Sequence, residues 1–311
     1  MRPLAVIGNV NVDLILGPAE PWPKPGTEII VDHDELRVGG SAGNAALALE
    51  ALGVEFDMSA STGTDEFGRW LRESFGSRAE KWPIRPEGTT LSVGITHPDG
   101  ERTFFTTRGH LPRFSLADVL AALDGDRLSD GYALLCGSFL TDDLTGDYPA
   151  LFDWADSHGI TLALDTGWPL DGWTEENRQA TRDWLSRCGC ALLNEVEATT
   201  LSDLSDPVAA AREIKRHMPQ GAIVVVKRGP EGAIAIDADG AFFSAAAPSV
   251  KVVDTIGAGD VFNAAFLAAL ADGRPLAACL VAGTRVASSA ISTHPRSYRG
   301  PLPATTGETA S

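Results

Sequence analysis

A chain of 311 residues is long enough for two ordinary domains or one large α/β domain, and either size buries a sizeable core. With 44% hydrophobic and 22% charged residues it has the balance of a globular protein, and no uninterrupted apolar run approaches the roughly 20 residues of a membrane helix. A formal charge of −17 with no visible basic patch argues against nucleic acid as a partner, so an anionic ligand must be held locally, by backbone amides and metal ions.

The opening residues, MRPLAVIGNVNVDLIL, are interrupted by Gly8, Asn9, Asn11 and Asp13; they read as a strand rather than a membrane segment, which points to a cytoplasmic protein. Asn11 and Asp13 are two apart, so on an extended strand both project from one face, where they can donate to and accept from adjacent hydroxyls; a polar turn after the strand is the competing reading. DLILGPAEPWPKPGTEIIVDHDELRV reads as two extended pieces around a proline-rich loop. Gly39 and Gly40 then allow a ligand close to the backbone, and Asn44 sits in the first turns of a helix expected over 41–52, unless this is a plain loop-to-helix junction.

Further along, EFDMSAST reads as a strand and 65–75 as a helix, and TTLSVGITHPDGERTFFTT reads as a hairpin turning at Pro98-Asp99-Gly100. Together with the earlier extended pieces this hairpin makes a small β-layer without covering helices, over about 12–38 and 88–108, with an apolar face carrying Leu91, Val93, Ile95 and Phe105. Strands YALLCG, ITLALD, CALLN, AIVVVK and GAIAID then alternate with helices expected over 145–157, 206–217 and 258–270. Such alternation predicts an α/β fold, a largely parallel sheet with helices on both faces. Cys136, Cys188, Cys190 and Cys279 are too few and scattered for a disulfide framework, and the lone C-x-C lacks a second pair for zinc. The end of the chain, PATTGETAS, has the composition of a disordered tail.

The stretch VVDTIGAGDVFNAAFLAAL carries the chemistry. Its glycines resemble a dinucleotide fingerprint but lack the third glycine and the acid about 20 residues on, and the chain holds no G-x-x-x-x-G-K-[ST] phosphate loop. Gly257, Ala258 and Gly259 leave backbone N–H groups uncovered at a helix start, and Asp260 stands beside them. Amides for developing negative charge next to a carboxylate for a hydroxyl proton are what phosphoryl transfer to an alcohol requires; a favourable charge in a first helical turn is the plainer reading of Asp260.

These residues resemble the ribokinase-like (PfkB) carbohydrate kinases, a family that includes adenosine kinases. DTIGAGDVF is similar to its C-terminal D-T-x-G-A-G-D signature, GNVNVDLIL with GGSAGNAALALEALG to its N-terminal one, and NEVE to its N-x-x-E motif. The resemblance implies a three-layer α/β/α sandwich over 1–300 with the small β-layer as a lid, a tail at 301–311, and ATP with Mg2+ as cofactor. It implies a sugar or sugar-like acceptor at Asn11, Asp13, Gly39, Gly40 and Asn44, and a homodimer through the lid. Lys227 and Gly229 would meet the nucleotide, although a surface lysine is the alternative. Asn194 and Glu197 would act on the magnesium water shell and the phosphates, while Asn followed three later by Glu is also a capping box. Asp254, with nearby carbonyls, is where many members hold a monovalent cation such as K+.

Departures bear on the acceptor. Ser41 replaces a lysine usual in ribokinases proper, and Gly257-Ala258-Gly259-Asp260 stands where their turn often reads A-A-G-D, so ribose is disfavoured; LDTGWP keeps Asp165 without the arginine of the D-x-N-x-R stretch of several hexose and keto-sugar-acid kinases. Arg102 and Arg108 in the lid are able to meet an anionic substrate group, although a solvated lid arginine is the more common case. A nucleoside kinase shares these motifs; a phosphosugar kinase would need a basic acceptor pocket that the sequence does not show, and the intact Gly257-Ala258-Gly259-Asp260 set speaks against a binding homologue that has lost catalysis.

Overall fold

The computed structural model describes residues 1–98, 101–294 and 296. Asp99 and Gly100 of the expected hairpin turn and the tail at 301–311 lie outside the described residues.

Strand β1, Leu4–Gly8, is buried along its length and leads directly into β2, Asn11–Gly17; β3, His33–Gly39, returns antiparallel to β2 after the proline-rich loop. Helix α1, Ser41–Ala51, starts on Gly40. The strand expected in EFDMSAST is only β4, Asp57–Ser59, because its partner β1 stops one residue beyond the Ile7–Ser59 pair. Two short strands, β5 (Thr62–Gly63) and β6 (Ile84–Arg85), pair in parallel around α2, Glu66–Phe75, whose N-cap Asp65 accepts from the Gly68 amide. The hairpin follows as β7, Leu91–Thr96, and β8, Arg102–Thr106.

After α3, Leu116–Ala122, and β9, Tyr132–Cys136, the helix expected over 145–157 is two helices, α4 (Asp142–Gly146) and α5 (Tyr148–Ser157). Pro149 in the first turn of α5 has no N–H to continue the ladder from α4. Next come β10 (Thr161–Asp165), α6 (Glu175–Leu185), β11 (Cys190–Asn194), α7 (Glu195–Ser202), α8 (Pro207–Arg216) and β12 (Ile223–Lys227). β13 (Ala233–Ile236) and β14 (Phe242–Ala245) lead to α9 (Ala258–Ala271) and α10 (Leu276–Ile291). β6, α3, α6, β14 and α10 carry no pattern of their own in the sequence; α10, rich in small residues, shows no apolar stripe because those residues let it lie against α9 on a buried face.

Among the described residues, eight strands form one sheet in the order β14-β13-β12-β11-β10-β9-β1-β4. β4 through β12 in that order run parallel, and β13 and β14 add an antiparallel edge. Successive residues of each parallel strand enter opposite layers, as period 2 requires. Val6, Leu134 and Leu192 pack with α1, α9 and α10, whereas Ile7, Leu135 and Leu193 pack with the α5 side around Tyr148. Each such fully buried side chain contributes about 1.5–3 kcal/mol of transfer free energy, so the two layers hold the sheet rigid under the site. The four cysteines are free and buried. Burial pushes the thiols of Cys188 up to about 12 and Cys279 up to about 11. No helix among the described residues is long and apolar enough to cross a membrane.

The small sheet has the order β3-β2-β7-β8. Its register places Leu36, Leu14, Val93 and Phe105 in one row across the strands, and Arg37, Asp13, Ser92 and Thr106 in a row on the other face. Of the residues expected on the apolar face, Leu91, Val93 and Ile95 are half-buried, and Phe105 is 56% exposed, with Leu36 at 47% beside it.

Candidate active site

In the chain's order, β1 is joined on one side by β4 and then on the other by β9, which makes the C-terminal end of β1 a switch point where an open α/β sheet leaves a crevice. The candidate residues collect there. Asp165, Asn194 and Lys227 end β10, β11 and β12, Asn11 follows β1, and the N-terminus of α9 closes the group.

Asn11 and Asp13 do share a face of β2. Both are buried, and the Asn11 amide donates to Asp13 Oδ1 at 2.8 Å. Gly39, opposite Asn11, has to be glycine for this arrangement, because a Cβ there would lie 2.1 Å from Asp13 Oδ1. Burial pushes the Asp13 carboxyl up to about 6, against the pull of Arg37 and Asn11. Gly40 passes so close to the Asn9 carbonyl that a Cβ would sit 2.4 Å from it.

Gly257 caps α9 with φ +73, a left-handed conformation that turns the following amides towards the crevice. The Ala258 N–H donates to the Thr255 carbonyl at 3.1 Å; those of Gly259 and Asp260 have no protein acceptor among the described residues. Asp260 Oδ2 accepts from Asn44 Nδ2 at 2.9 Å, which joins the α9 turn to α1 and the acceptor side. Although one side opens onto the cavity, protein surrounds Asp260; burial and then the Asp165 charge push its carboxyl up to about 6, against Asn44, Lys227 and Ser41.

Lys227 is not a surface lysine. Its ammonium donates to Asp165 Oδ2 at 2.7 Å and to Asn263 Oδ1 at 3.1 Å, with both partners in the ion pair about nine-tenths buried. The Asn263 amide in turn donates to Asp165, closing a three-residue ring beneath the α9 turn. Burial disfavours the lysine charge, but Asp165 and Glu197 outweigh it and raise the Lys227 pKa. A Cβ on Gly259 would lie 3.3 Å from this ammonium.

Asn194 and Glu197 form the capping box: each side chain accepts from the other's amide at 2.8 Å. Glu197 is buried, and desolvation followed by the Asp165 charge pushes it up to about 8. Among the described residues no group of three or more His, Cys, Asp or Glu side chains is arranged to hold a metal ion. Asp165, Asn194, Glu197, Lys227, Gly229 and Asp260 line one cavity of about 720 Å3, whose walls from the 247–252 segment and α10 are mostly apolar, with Ser249, Thr284 and Ser288 among them. A polar floor at the strand ends beneath apolar walls suits a ligand with an anionic end and a flat apolar end.

Asp254 is engaged differently from the expectation of a cation site. Its Oδ1 accepts from the Ile256 amide at 2.8 Å, and its Oδ2 accepts from Arg37 Nη1 at 2.6 Å and Arg296 Nη2 at 2.8 Å. Burial works to raise this carboxyl, yet the Ile256 amide and the arginines hold it below the ordinary value. Arg37, Arg296 and Asn263 were not marked in the sequence. Arg37 alone had a local signal, standing two residues before Gly39 on the strand that faces Asp13. Of the two lid arginines, Arg102 is half-buried on β8, and Arg108 is 82% exposed and lies 3.8 Å from Asp142.

The model of the pfkB family carbohydrate kinases matches residues 1–299. The chain is 24% identical to the ribokinase of Bacillus subtilis over 94% of its length and 93% of that protein. Its fold is similar to the adenosine kinase of Sinorhizobium meliloti, with a TM-score of 0.79 at 21% identity over 94% of each chain. It is also similar to Arabidopsis thaliana ribokinase complexed with ribose and ATP, with a TM-score of 0.73 at 21% identity over 94% of this chain and 93% of that one. The mostly parallel sheet between two helical layers, with a small sheet beside it, is the ribokinase-like sandwich, and with the match over 1–299 it makes this chain a member of the pfkB family of carbohydrate kinases.

Proposed function

We propose that the chain transfers the γ-phosphoryl group of ATP to a hydroxyl of a sugar or sugar-like acceptor. The observation that carries this reading is Asp260: a carboxylate with a raised pKa, hydrogen-bonded to Asn44 on the acceptor side and adjoining unpaired helix amides on the cavity side. Asp260 takes the proton from the attacking hydroxyl, and the Gly259 and Asp260 amides hold charge on the transferring group. Asn11, Asp13 and Asn44 hold acceptor hydroxyls, and Gly39 and Gly40 let the acceptor reach the backbone. The apolar walls from 247–252 and α10 hold the base, while Gly229, Lys227 and Asn194 flank the phosphates.

Magnesium suits this cavity. Glu197 and Asp260 line it with Asp165, and the charge of Asp165 raises the pKa of both, a repulsion that a divalent cation relieves. Bound with ATP, the ion would be held through its waters by Asn194 and Glu197 and would neutralise phosphate charge.

The test is ADP release across a panel of pentoses, hexoses, sugar acids, phosphosugars and nucleosides. Stimulation by a sugar or sugar acid is the expected result. Stimulation by a nucleoside alone would move the chain to the nucleoside kinases, and none by any acceptor would overturn the kinase reading for this chain.

The small sheet is read as a lid over the acceptor that also pairs with a second copy. Its apolar row, Leu36, Leu14, Val93 and Phe105, points away from the polar row that carries Asp13. Sedimentation at micromolar concentration is expected to show a dimer that Phe105→Asp converts to monomer; a wild-type monomer would remove this contact.

A further inference from the structure

The resemblance places a monovalent cation at Asp254, and the residues present do not fit one. Both oxygens of that carboxylate are engaged, Oδ1 by the Ile256 amide and Oδ2 by two guanidinium groups at 2.6 and 2.8 Å. A nearby carbonyl is also committed, since the Val253 and Asp254 amides both donate to the Ile291 oxygen. The side chains of Arg296 and Arg37 are only 9% and 13% exposed, so water screens their charges poorly and a further cation on Oδ2 would meet two fixed positive charges at close range.

We propose that Arg37 and Arg296 stand permanently where a monovalent cation would act, so that phosphoryl transfer by this chain is indifferent to K+. The three groups come from separate parts of the molecule. Arg37 belongs to β3 of the small sheet, opposite Asp13; Asp254 belongs to the loop that ends on Gly257; Arg296 follows α10. Arg296 also packs on the α9 turn itself, because a Cβ on Gly257 would lie 3.1 Å from its Nη1. The clamp therefore fixes the loop that aims the Gly259 and Asp260 amides and ties it to the strand beside the acceptor. A bound ion could hold the loop but could not link it to the small sheet. Arg37 and Arg296 are positioning residues: they act through Asp254.

This inference rests on the kinase reading, and its test separates the two. With an acceptor that gives turnover, kcat and KM for ATP are compared in KCl, NaCl and choline chloride at equal ionic strength. Values within about twofold of one another are expected, and activation by K+ of about fivefold or more over choline would overturn the proposal. Arg296→Gln is expected to lower kcat by about tenfold to a hundredfold through a misplaced loop, with KM for the acceptor changing less, and Arg296→Lys to recover much of the loss. An Arg296→Gln enzyme with wild-type kcat would also overturn it. Should Arg296→Gln fail to fold, the wild-type salt series and Arg296→Lys still decide. Should no acceptor support turnover, ADP affinity by calorimetry replaces kcat: equal Kd values in KCl and choline chloride support the clamp, and tighter binding in KCl overturns it.

Discussion

Asp260→Asn is expected to lower kcat by roughly 10² to 10⁴ while leaving KM for ATP and acceptor near their wild-type values. Asparagine keeps the shape and still meets Asn44 through its side-chain oxygen, 2.9 Å away in the wild type, so the pocket stands while the proton acceptor is gone. The pH dependence gives a second readout. Because Asp260 is pushed up to about 6 and must be ionised to take a proton, wild-type kcat/KM falls as pH drops through about 6 and is level above it. Asp13, also raised to about 6, steepens that fall, because its protonation withdraws an acceptor of substrate hydroxyls. In Asp260→Asn the share of the acid limb due to the base disappears and only the Asp13 share stays. Near-normal kcat in a folded Asp260→Asn enzyme would reduce Asp260 to a helix-terminus charge.

Lys227→Met is expected to lose about 3–5 kcal/mol of stability, the usual cost of removing one partner from a buried ion pair. Methionine fills much of the volume, so the loss reports charge rather than packing. Asp165 would keep only the Asn263 amide, with Glu197 and Asp260 close enough to repel it. The sign with pH follows. Without the ammonium Glu197 and Asp260, already raised to about 8 and about 6, titrate higher still in the folded chain than in the unfolded one, so the deficit grows with pH and shrinks as pH falls through the Asp260 value. Urea unfolding of wild type and variant at pH 7.5 and 5.5 measures both; a deficit under about 1 kcal/mol at pH 7.5, or one that does not shrink at pH 5.5, would sink the idea. Lys227→Met with Asp165→Asn is expected to recover part of the loss, because it removes the stranded charge.

Much of this architecture is legible in the sequence because its signals are local. LAVIG, CALLN and AIVVVK are continuous apolar runs, as strands buried on both faces must be, and the polar residues that end the last two, Asn194 and Lys227, fall at the crevice end of a parallel sheet. The alternation of Asn11 and Asp13, and the Gly257 to Asp260 turn, are local too, and the structure brings both to the same crevice. Other residues are decided only by tertiary contact. Arg37 meets Asp254 across 217 residues and Asn263 meets Asp165 across 98, so no spacing rule could pair them. Lys227 reads equally as a solvated strand end or a site lysine until the depth of Asp165 is known. Asn194 and Glu197 form the capping box, and that local role is compatible with a second one towards metal-bound water. α10 was invisible because Ala and Ser carry no stripe; its face is defined by what α9 leaves room for.

The burial of all four cysteines has a practical consequence. With their thiolates disfavoured by desolvation, they are inert to alkylating dyes in the folded protein. A single surface thiol can therefore be introduced without first removing the native ones. Ile30, 93% exposed on the loop between β2 and β3, offers a place next to the small sheet, and Ile30→Cys carrying an environment-sensitive fluorophore would turn acceptor binding into an optical signal, readable in a stopped-flow cell before any phosphate is transferred.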